Sequence, residues 1–278
     1  MLLENGVFLS GIYRCETMKK WKTFGMSLLP VCLWLLLQIM LSAGFSTLLV
    51  ALSVIFKGRG GSEDILRYLQ TEGVYILSCC INGIFLVPGI FWYRFLKKKE
   101  ENKEKSKMDA KVWLRLLILG LCLQMAVSLI LFGAQVLFPE IMEDYGQVME
   151  SLGVNQPSIW SALYVGIFAP VTEELIFRGL TLKILFQSFS FPVANVIQAL
   201  YFALVHGNLV QGLYAFGIGL VLGNIVEKHK TLKGAVACHF AVNVSGLLLG
   251  SVSLGPAGMA VGVVILVGIL VLLRDRKK

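Results

Sequence analysis

The sequence predicts an all-α, polytopic membrane protein with about eight transmembrane helices. Its mean hydropathy is +0.76, and of its 278 residues 56% are hydrophobic and only 15% are charged. A soluble domain usually has about 25% charged residues. The apolar residues also occur in long runs, and a run of about 20 residues is enough to cross a bilayer as a helix. Composition and run length together exclude an ordinary soluble domain.

Eight apolar segments define the predicted helices. A basic segment that includes Arg14 and Lys22 precedes the first of them without an apolar signal-peptide core, so we expect the first helix to remain as an anchor. The first segment is longer than a bilayer requires, whereas the fifth is short for a span. The segments are 24–56, 74–96, 111–138, 159–186, 191–206, 208–226, 231–250 and 254–273.

The charged residues between these segments predict the orientation of the helices. Basic residues cluster at 14–22, 94–115, 228–233 and 274–278, each beside the end of an apolar segment. The segment 138–158 has four acidic residues and no basic residue. Because cytoplasmic loops are enriched in Lys and Arg, both termini are expected on the cytoplasmic side of the cell membrane, and 138–158 outside. The clusters also predict attraction to lipid headgroups in the bilayer and no nucleic-acid partner.

Two polar stretches interrupt the N-terminal half of the chain. Residues 57–73, of mixed charge, are expected to form a loop between the first two helices. Residues 97–111 are expected to form a solvated linker on the cytoplasmic side. This linker separates an N-terminal part, 1–110, with two helices, from a six-helix part, 111–278.

Small residues predict close packing between the C-terminal helices. Gly219 and Gly223 form a GxxxG pattern in the sixth segment, and this spacing lets neighbouring helix backbones approach. We therefore expect the sixth helix to bring the fifth and seventh helices together. The six cysteines contain no CxxC pair and lie mostly in apolar runs, so they are expected to be packing residues.

Three charged residues, Glu173, Glu174 and Arg178, lie near the middle of the fourth apolar segment. A charged residue in a membrane span is unfavourable by roughly 2.5–3.5 kcal/mol on insertion scales. Glu174 and Arg178 are four residues apart, so on a helix they share a face and are expected to form an ion pair. Glu173 points about 100° away and lacks that partner. We predict acid–base chemistry for Glu173 and a supporting role for Glu174 and Arg178.

Two histidines and an asparagine lie in the segments that follow. His206 ends the fifth segment, and His239 and Asn243 lie four residues apart in the seventh, so their side chains share a helix face. A histidine and an asparagine on one face offer two donors to one oxygen atom, which suits an oxyanion. His229 lies in a basic loop and is expected to be solvated. We therefore expect the three segments to form one site at membrane depth.

These residue types favour hydrolysis of an amide bond. A carboxylate with a histidine can hold and deprotonate a water molecule, while a histidine with an asparagine can stabilise charge on a carbonyl oxygen. The sequence has no HExxH, GxSxG or P-loop motif. Two other classes stay open: a non-enzymatic scaffold protein that keeps the polar residues for stability, and a proton-coupled transporter. A transporter would more often show an internal repeat, and none is visible.

The three motifs resemble those of the CPBP family, which comprises type II CAAX prenyl endopeptidases and bacterial bacteriocin-processing or immunity (Abi) proteins. EELIFRG corresponds to the family's EExxxR motif, FALVH to FxxxH and HFAVN to HxxxN, in that order within 160–250. The resemblance implies an intramembrane peptidase with a conical core of catalytic helices. It also implies that Glu173 and His206 activate water and that His239 and Asn243 form the oxyanion pocket.

The resemblance leaves the metal and the substrate open. Glu173, His206 and His239 offer the ligands of a zinc site with water as the fourth ligand. We expect a metal-free site without a cofactor, because asparagine is an uncommon zinc ligand and a good oxyanion donor. The expected substrate is a membrane-anchored peptide or protein: a CAAX-type protein, a bacteriocin leader peptide or a pheromone precursor. The alternative within this family is an immunity protein without enzymatic activity.

Overall fold

In the computed structural model every element of the described residues is a helix, which confirms the all-α fold class. The description covers residues 4–98, 108–151, 158–251 and 255–272. Most of the predicted linker and the basic C-terminus therefore lie outside the described residues. The division of the chain into an N-terminal part and a six-helix part stays a prediction.

Six helices in the described ranges are long and apolar enough to cross a membrane, so the chain is a multi-pass membrane protein. Their candidate spans are Lys19–Phe56, Thr71–Lys97, Ala110–Leu137, Ile159–Leu185, Leu209–His229 and Leu232–Leu249. The other two predicted spans form shorter apolar helices, Phe191–Leu204 and Pro256–Leu272. The 14 residues of Phe191–Leu204 extend about 21 Å, less than the roughly 30 Å of a hydrocarbon core. A count of eight crossings stays a prediction.

The first helix, α1 (Glu4–Tyr68), shows that the predicted loop at 57–73 is wrong. It continues for 65 residues, and a π-helical segment, Leu69–Gly73, connects it directly to α2 (Val74–Lys98). The stretch contains no proline to interrupt the helical hydrogen bonds. Its Glu63 and Arg67 also have the i, i+4 spacing that favours a helix.

Only one residue, Phe138, separates the next two helices. Asp109 caps α3 (Ala110–Leu137), because its side chain accepts a hydrogen bond of 2.9 Å from the Val112 backbone N–H. After α3 the chain forms α4 (Pro139–Ser151), where the sequence predicted an external loop. Proline at the first position of a helix is favourable, since the missing N–H would have had no partner there. The side of the membrane on which α4 lies stays a prediction.

The helix with the acidic motif, α5 (Ile159–Leu185), is continuous but irregular. Two π-helical segments, Tyr164–Phe168 and Glu174–Thr181, interrupt its α-helical turns. A π segment inserts an extra residue into the hydrogen-bond ladder and redirects the side chains that follow, and such segments are frequent at functional sites. The sequence analysis did not predict them.

The helices that follow are α6 (Phe191–Leu204), α7 (Leu209–His229), α8 (Leu232–Ser251) and α9 (Pro256–Leu272). The first three pack against α5, whereas α9 packs against α3. On α7, Gly219 faces Ala199 and Gly223 faces Asn195, both on α6. The opposite neighbour α8 shares an apolar cluster with α7 that includes Leu222 and Cys238. The close contacts predicted from GxxxG are therefore confirmed.

The two N-terminal helices pack directly on α5. One apolar cluster joins Trp34 of α1 and Phe85 of α2 to Phe177 of α5 and Phe202 of α6. The Thr181 hydroxyl of α5 also donates a 3.2 Å hydrogen bond to the Ser27 carbonyl of α1. These contacts fix the orientation of the helix that carries the two glutamates.

Candidate active site

The three predicted motifs meet where α5, α6 and α8 come together. Glu173 ends an α-helical turn of α5 and Glu174 begins the π segment Glu174–Thr181. His239 and Asn243 lie in the middle of α8. His206 lies in the turn that connects α6 to α7.

Glu174 and Arg178 form the buried ion pair that their spacing predicts. The Arg178 Nη1 and Glu174 Oε1 atoms are 2.8 Å apart, and neither side chain is exposed. Arg178 Nη2 also donates to the Gly219 carbonyl at 3.2 Å. The guanidinium lies over the Phe202 ring, 4.5 Å from its centroid. Pairing is what makes two buried charges tolerable, and here Arg178 also links α5 to α6 and α7.

His239 connects the two glutamates. Its Nδ1 atom is 2.9 Å from Glu174 Oε1, and because an ionised carboxylate only accepts hydrogen bonds, the Nδ1–H donates. This contact turns the other ring nitrogen, Nε2, towards Glu173 Oε2 at 3.6 Å. Glu173, which lacks the arginine partner of Glu174, therefore faces an imidazole. Because Glu173 and Glu174 are consecutive, their carboxylates point to different sides of α5. The His239 imidazole of α8 contacts both of them.

The two glutamates differ in their access to solvent. The Glu174 side chain is 0% exposed and that of Glu173 is 14% exposed. Glu174 is bound on one oxygen by both Arg178 and His239. A small molecule can reach Glu173, whereas Glu174 is enclosed by protein groups. This difference agrees with a chemical role for the first and a supporting role for the second.

His206, which the sequence analysis placed at the end of the fifth segment, lies in a turn just beyond the end of α6. The helix α6 ends at Leu204, and Gly207 adopts a positive φ of 67° that ends the helical turn. The His206 Nδ1–H donates to the Phe202 carbonyl at 2.7 Å, so in the neutral ring Nε2 is a hydrogen-bond acceptor. The rings of His206 and His239 pack edge-on against Phe202, at 4.9 Å and 5.7 Å between centroids.

Asn243 is held by the first π segment of α5. Its Nδ2 donates to the Val165 carbonyl at 2.8 Å. A side-chain amide has two N–H donors, so one remains for another acceptor. That Asn243 and His239 form an oxyanion pocket stays a prediction.

The three candidate zinc ligands do not form a metal site in the described residues. No group of three or more His, Cys, Asp or Glu side chains there is arranged to hold a metal ion. Both nitrogens of His239 face carboxylates, and His206 Nδ1 is bound to a backbone carbonyl. The Nδ1 contacts leave Nε2 of each ring as the atom that could bind a metal, so the choice between a metal-free and a zinc site stays a prediction.

Buried amide side chains that the sequence analysis missed support the site. Gln198 Nε2 donates to the Gly219 carbonyl at 3.0 Å and to Asn195 Oδ1 at 2.8 Å. In α2, Asn82 Oδ1 accepts from Trp34 Nε1 at 3.2 Å. All three amides lie inside apolar segments, and that unfavourable placement is the signal by which they could have been found.

Comparison with known proteins shows what the segment around this site is similar to. Residues 155–245, which contain all three motifs, match the family model for "Type II CAAX prenyl endopeptidase Rce1-like". No curated protein and no solved structure matches the chain significantly. The match confirms the resemblance that the motifs indicate and supports, in general, an intramembrane protease of the CAAX type.

Proposed function

We propose that this chain, which carries an Rce1-like segment at residues 155–245, hydrolyses a peptide bond with a water molecule activated by Glu173 and His206. The contact of 3.6 Å between Glu173 Oε2 and His239 Nε2 carries the proposal. It places a partly exposed carboxylate beside an imidazole whose other nitrogen is fixed by Glu174 at 2.9 Å. Groups held in place by their neighbours are pre-organised for a reaction.

Glu173 acts as the general base in this mechanism. It takes a proton from water as the water oxygen attacks the carbonyl carbon of the substrate. His206 assists, because its Nδ1–H is bound to the Phe202 carbonyl and its Nε2 is left to accept the second hydrogen of that water. General acid–base catalysis of this kind contributes about 10²–10⁴-fold to a rate.

His239 and Asn243 stabilise the oxyanion that forms on the substrate carbonyl. The Nδ1–H of His239 is occupied by Glu174, so His239 donates to the oxyanion only when Nε2 is also protonated. Glu173, which faces Nε2, can transfer to this nitrogen the proton that it takes from water. The proton then moves to the leaving amine as the peptide bond breaks. The second N–H of Asn243 supplies the other donor.

The proposed substrate is a membrane-anchored peptide or protein tail. A site among membrane-spanning helices is reached most easily by a chain that is itself held in the bilayer. The candidates are CAAX-type proteins, bacteriocin leader peptides and pheromone precursors, and the site chemistry is the same for each. The reaction needs no cofactor in this proposal, and no step of it goes through a metal.

The experiment is a cleavage assay with the purified full-length chain in lipid vesicles. A panel of quenched fluorescent peptides, prenylated and unprenylated, identifies the substrate, and the product is confirmed by mass. The wild-type protein and a surface variant, Glu227→Gln, should cleave at equal rates with and without a zinc chelator. His206→Gln should be slower by about a hundredfold.

Two outcomes contradict the proposal. If the inserted wild-type protein cleaves no member of the panel, the chain is better explained as a scaffold or immunity protein. If the chelator abolishes cleavage and one zinc per chain restores it, the metal-free mechanism is wrong and Glu173, His206 and His239 become zinc ligands.

A further inference from the structure

A second group of polar side chains lies outside the proposed active site, in a groove between α3 and α7. The groove is a cavity of about 280 Å³. One part of its lining is apolar and includes Leu116 and Leu119 of α3 and Val221 and Ile225 of α7. Since the share of one water molecule in the liquid is about 30 Å³, the groove has room for a much larger group.

The other part of the lining is basic. It includes Arg115 of α3 and Lys228 and His229 of α7. Arg115 lies near the start of the span Ala110–Leu137, and His229 ends the span Leu209–His229. These positions are at the ends of membrane-crossing helices, the level at which lipid headgroups lie.

His229 provides independent evidence for a ligand. The sequence analysis expected it to be solvated, but the residue is only 7% exposed. Its Nδ1 atom is buried and has no hydrogen-bond partner among the described residues. Buried polar atoms are nearly always hydrogen-bonded, and one that is not requires an explanation such as a bound group. The imidazole lines the same groove as the two cations.

We propose that this groove binds one anionic phospholipid. Its phosphate is held by Lys228, Arg115 and His229, and the first part of an acyl chain lies along the apolar wall. The basic part of the lining favours an anionic over a zwitterionic headgroup, and basic pockets between transmembrane helices are suited to such headgroups. The apolar wall is the reason to assign a lipid and not a free anion. The site is separate from the proposed peptidase chemistry and does not depend on it.

The test is lipid binding to the full-length chain in neutral detergent, measured by native mass spectrometry. Phosphatidylglycerol and phosphatidylcholine with the same acyl chains are compared, and inorganic phosphate is offered as a competitor. The wild-type protein should retain one phosphatidylglycerol with a preference of about fivefold or more. Lys228→Ala, at an exposed position, should weaken its affinity about fivefold, as expected for one cation near an anionic headgroup.

Two further variants and a matched control complete the test. Lys233→Ala removes one exposed positive charge near the same end of the bundle without touching the groove and should change affinity less than twofold. Leu119→Trp should fill the apolar part and prevent binding. His229→Phe should weaken binding while the thermal unfolding midpoint stays near that of the wild type.

Three results would overturn the assignment. They are equal affinity for the two lipids, equal losses in Lys228→Ala and Lys233→Ala, and unchanged binding in Leu119→Trp. Displacement of the lipid by inorganic phosphate alone would assign the groove to a free anion. If His229→Phe does not fold, Lys228→Ala and Leu119→Trp still decide between these outcomes.

Discussion

Glu173 and Glu174 are consecutive residues in different environments. Glu174 is enclosed by Arg178 and His239, whereas Glu173 is partly exposed beside the same imidazole. The Glu174–Arg178 pair could be predicted from sequence, because residues four apart share a helix face. The contacts of His239 could not, since they depend on how α8 packs against α5.

Arg178 should be essential for stability. Arg178→Ala removes the ion-pair partner of the buried Glu174. Breaking a buried ion pair in this way typically destabilises a protein by about 3–5 kcal/mol. Arg178→Lys should be less damaging but still destabilising, because a lysine cannot donate to both Glu174 and the Gly219 carbonyl with the same geometry. Denaturant unfolding in detergent measures both effects.

Lys230→Ala is the matched control for Arg178. Lys230 pairs with Glu227 at a half-exposed position, and surface pairs of this kind contribute about 0–1 kcal/mol. Equal destabilisation by Arg178→Ala and Lys230→Ala would show that the buried pair does not stabilise the fold.

At the scale of helices, α7 holds the site together by close approach. An added Cβ at Gly219 would lie 3.1 Å from the Ala199 Cβ, and one at Gly223 would overlap the Asn195 side chain. The absence of side chains here lets Arg178 and Gln198 reach the Gly219 carbonyl.

Gly223→Ala should therefore destabilise the protein, by about 1–3 kcal/mol as for an overpacked core. Gly217→Ala on the same helix has open space around the added Cβ. It should be neutral or stabilising, because alanine is a better helix former than glycine by about 1 kcal/mol. Thermal unfolding of the two variants gives the comparison, and a shift of the same sign and size in both would contradict the packing argument.

Local irregularities limited what could be predicted for the helices. The long apolar runs gave the fold class, since about 20 apolar residues form a span almost regardless of detail. No comparable pattern in the sequence marks the π segments of α5. The end of α6 before His206 depends on one left-handed glycine, Gly207. The length of the apolar segment alone could not reveal it.

At the scale of the molecule, the bundle has a basic end and an acidic end. Gly234, at the start of α8, packs against Leu116 near the start of α3. The start of α3 therefore lies beside the basic turn near Lys233. The acidic helix α4 continues from the other end of α3. From the positive-inside rule we predict that the basic end lies in the cytoplasm.

Cysteine labelling tests this orientation. Single cysteines at two exposed positions, Lys233→Cys and Glu143→Cys, are introduced into a protein that lacks its six native cysteines. A membrane-impermeant thiol reagent should label Glu143→Cys in intact cells and Lys233→Cys only in inverted vesicles. If both cysteines are labelled from the same side, α3 does not cross the membrane. Reversed labelling would invert the topology.

The division of roles between Glu173 and Glu174 is the central claim, and one paired measurement tests it most directly. Peptide cleavage and thermal unfolding are measured on the same preparations of Glu173→Gln and Glu174→Gln. Glu173→Gln should keep the wild-type unfolding midpoint and lose at least about a hundredfold in cleavage rate, the scale of a lost general base. Glu174→Gln should lower the unfolding midpoint, because Arg178 and His239 lose their charged acceptor. Normal cleavage by a correctly inserted Glu173→Gln, or wild-type stability of Glu174→Gln, would contradict the account.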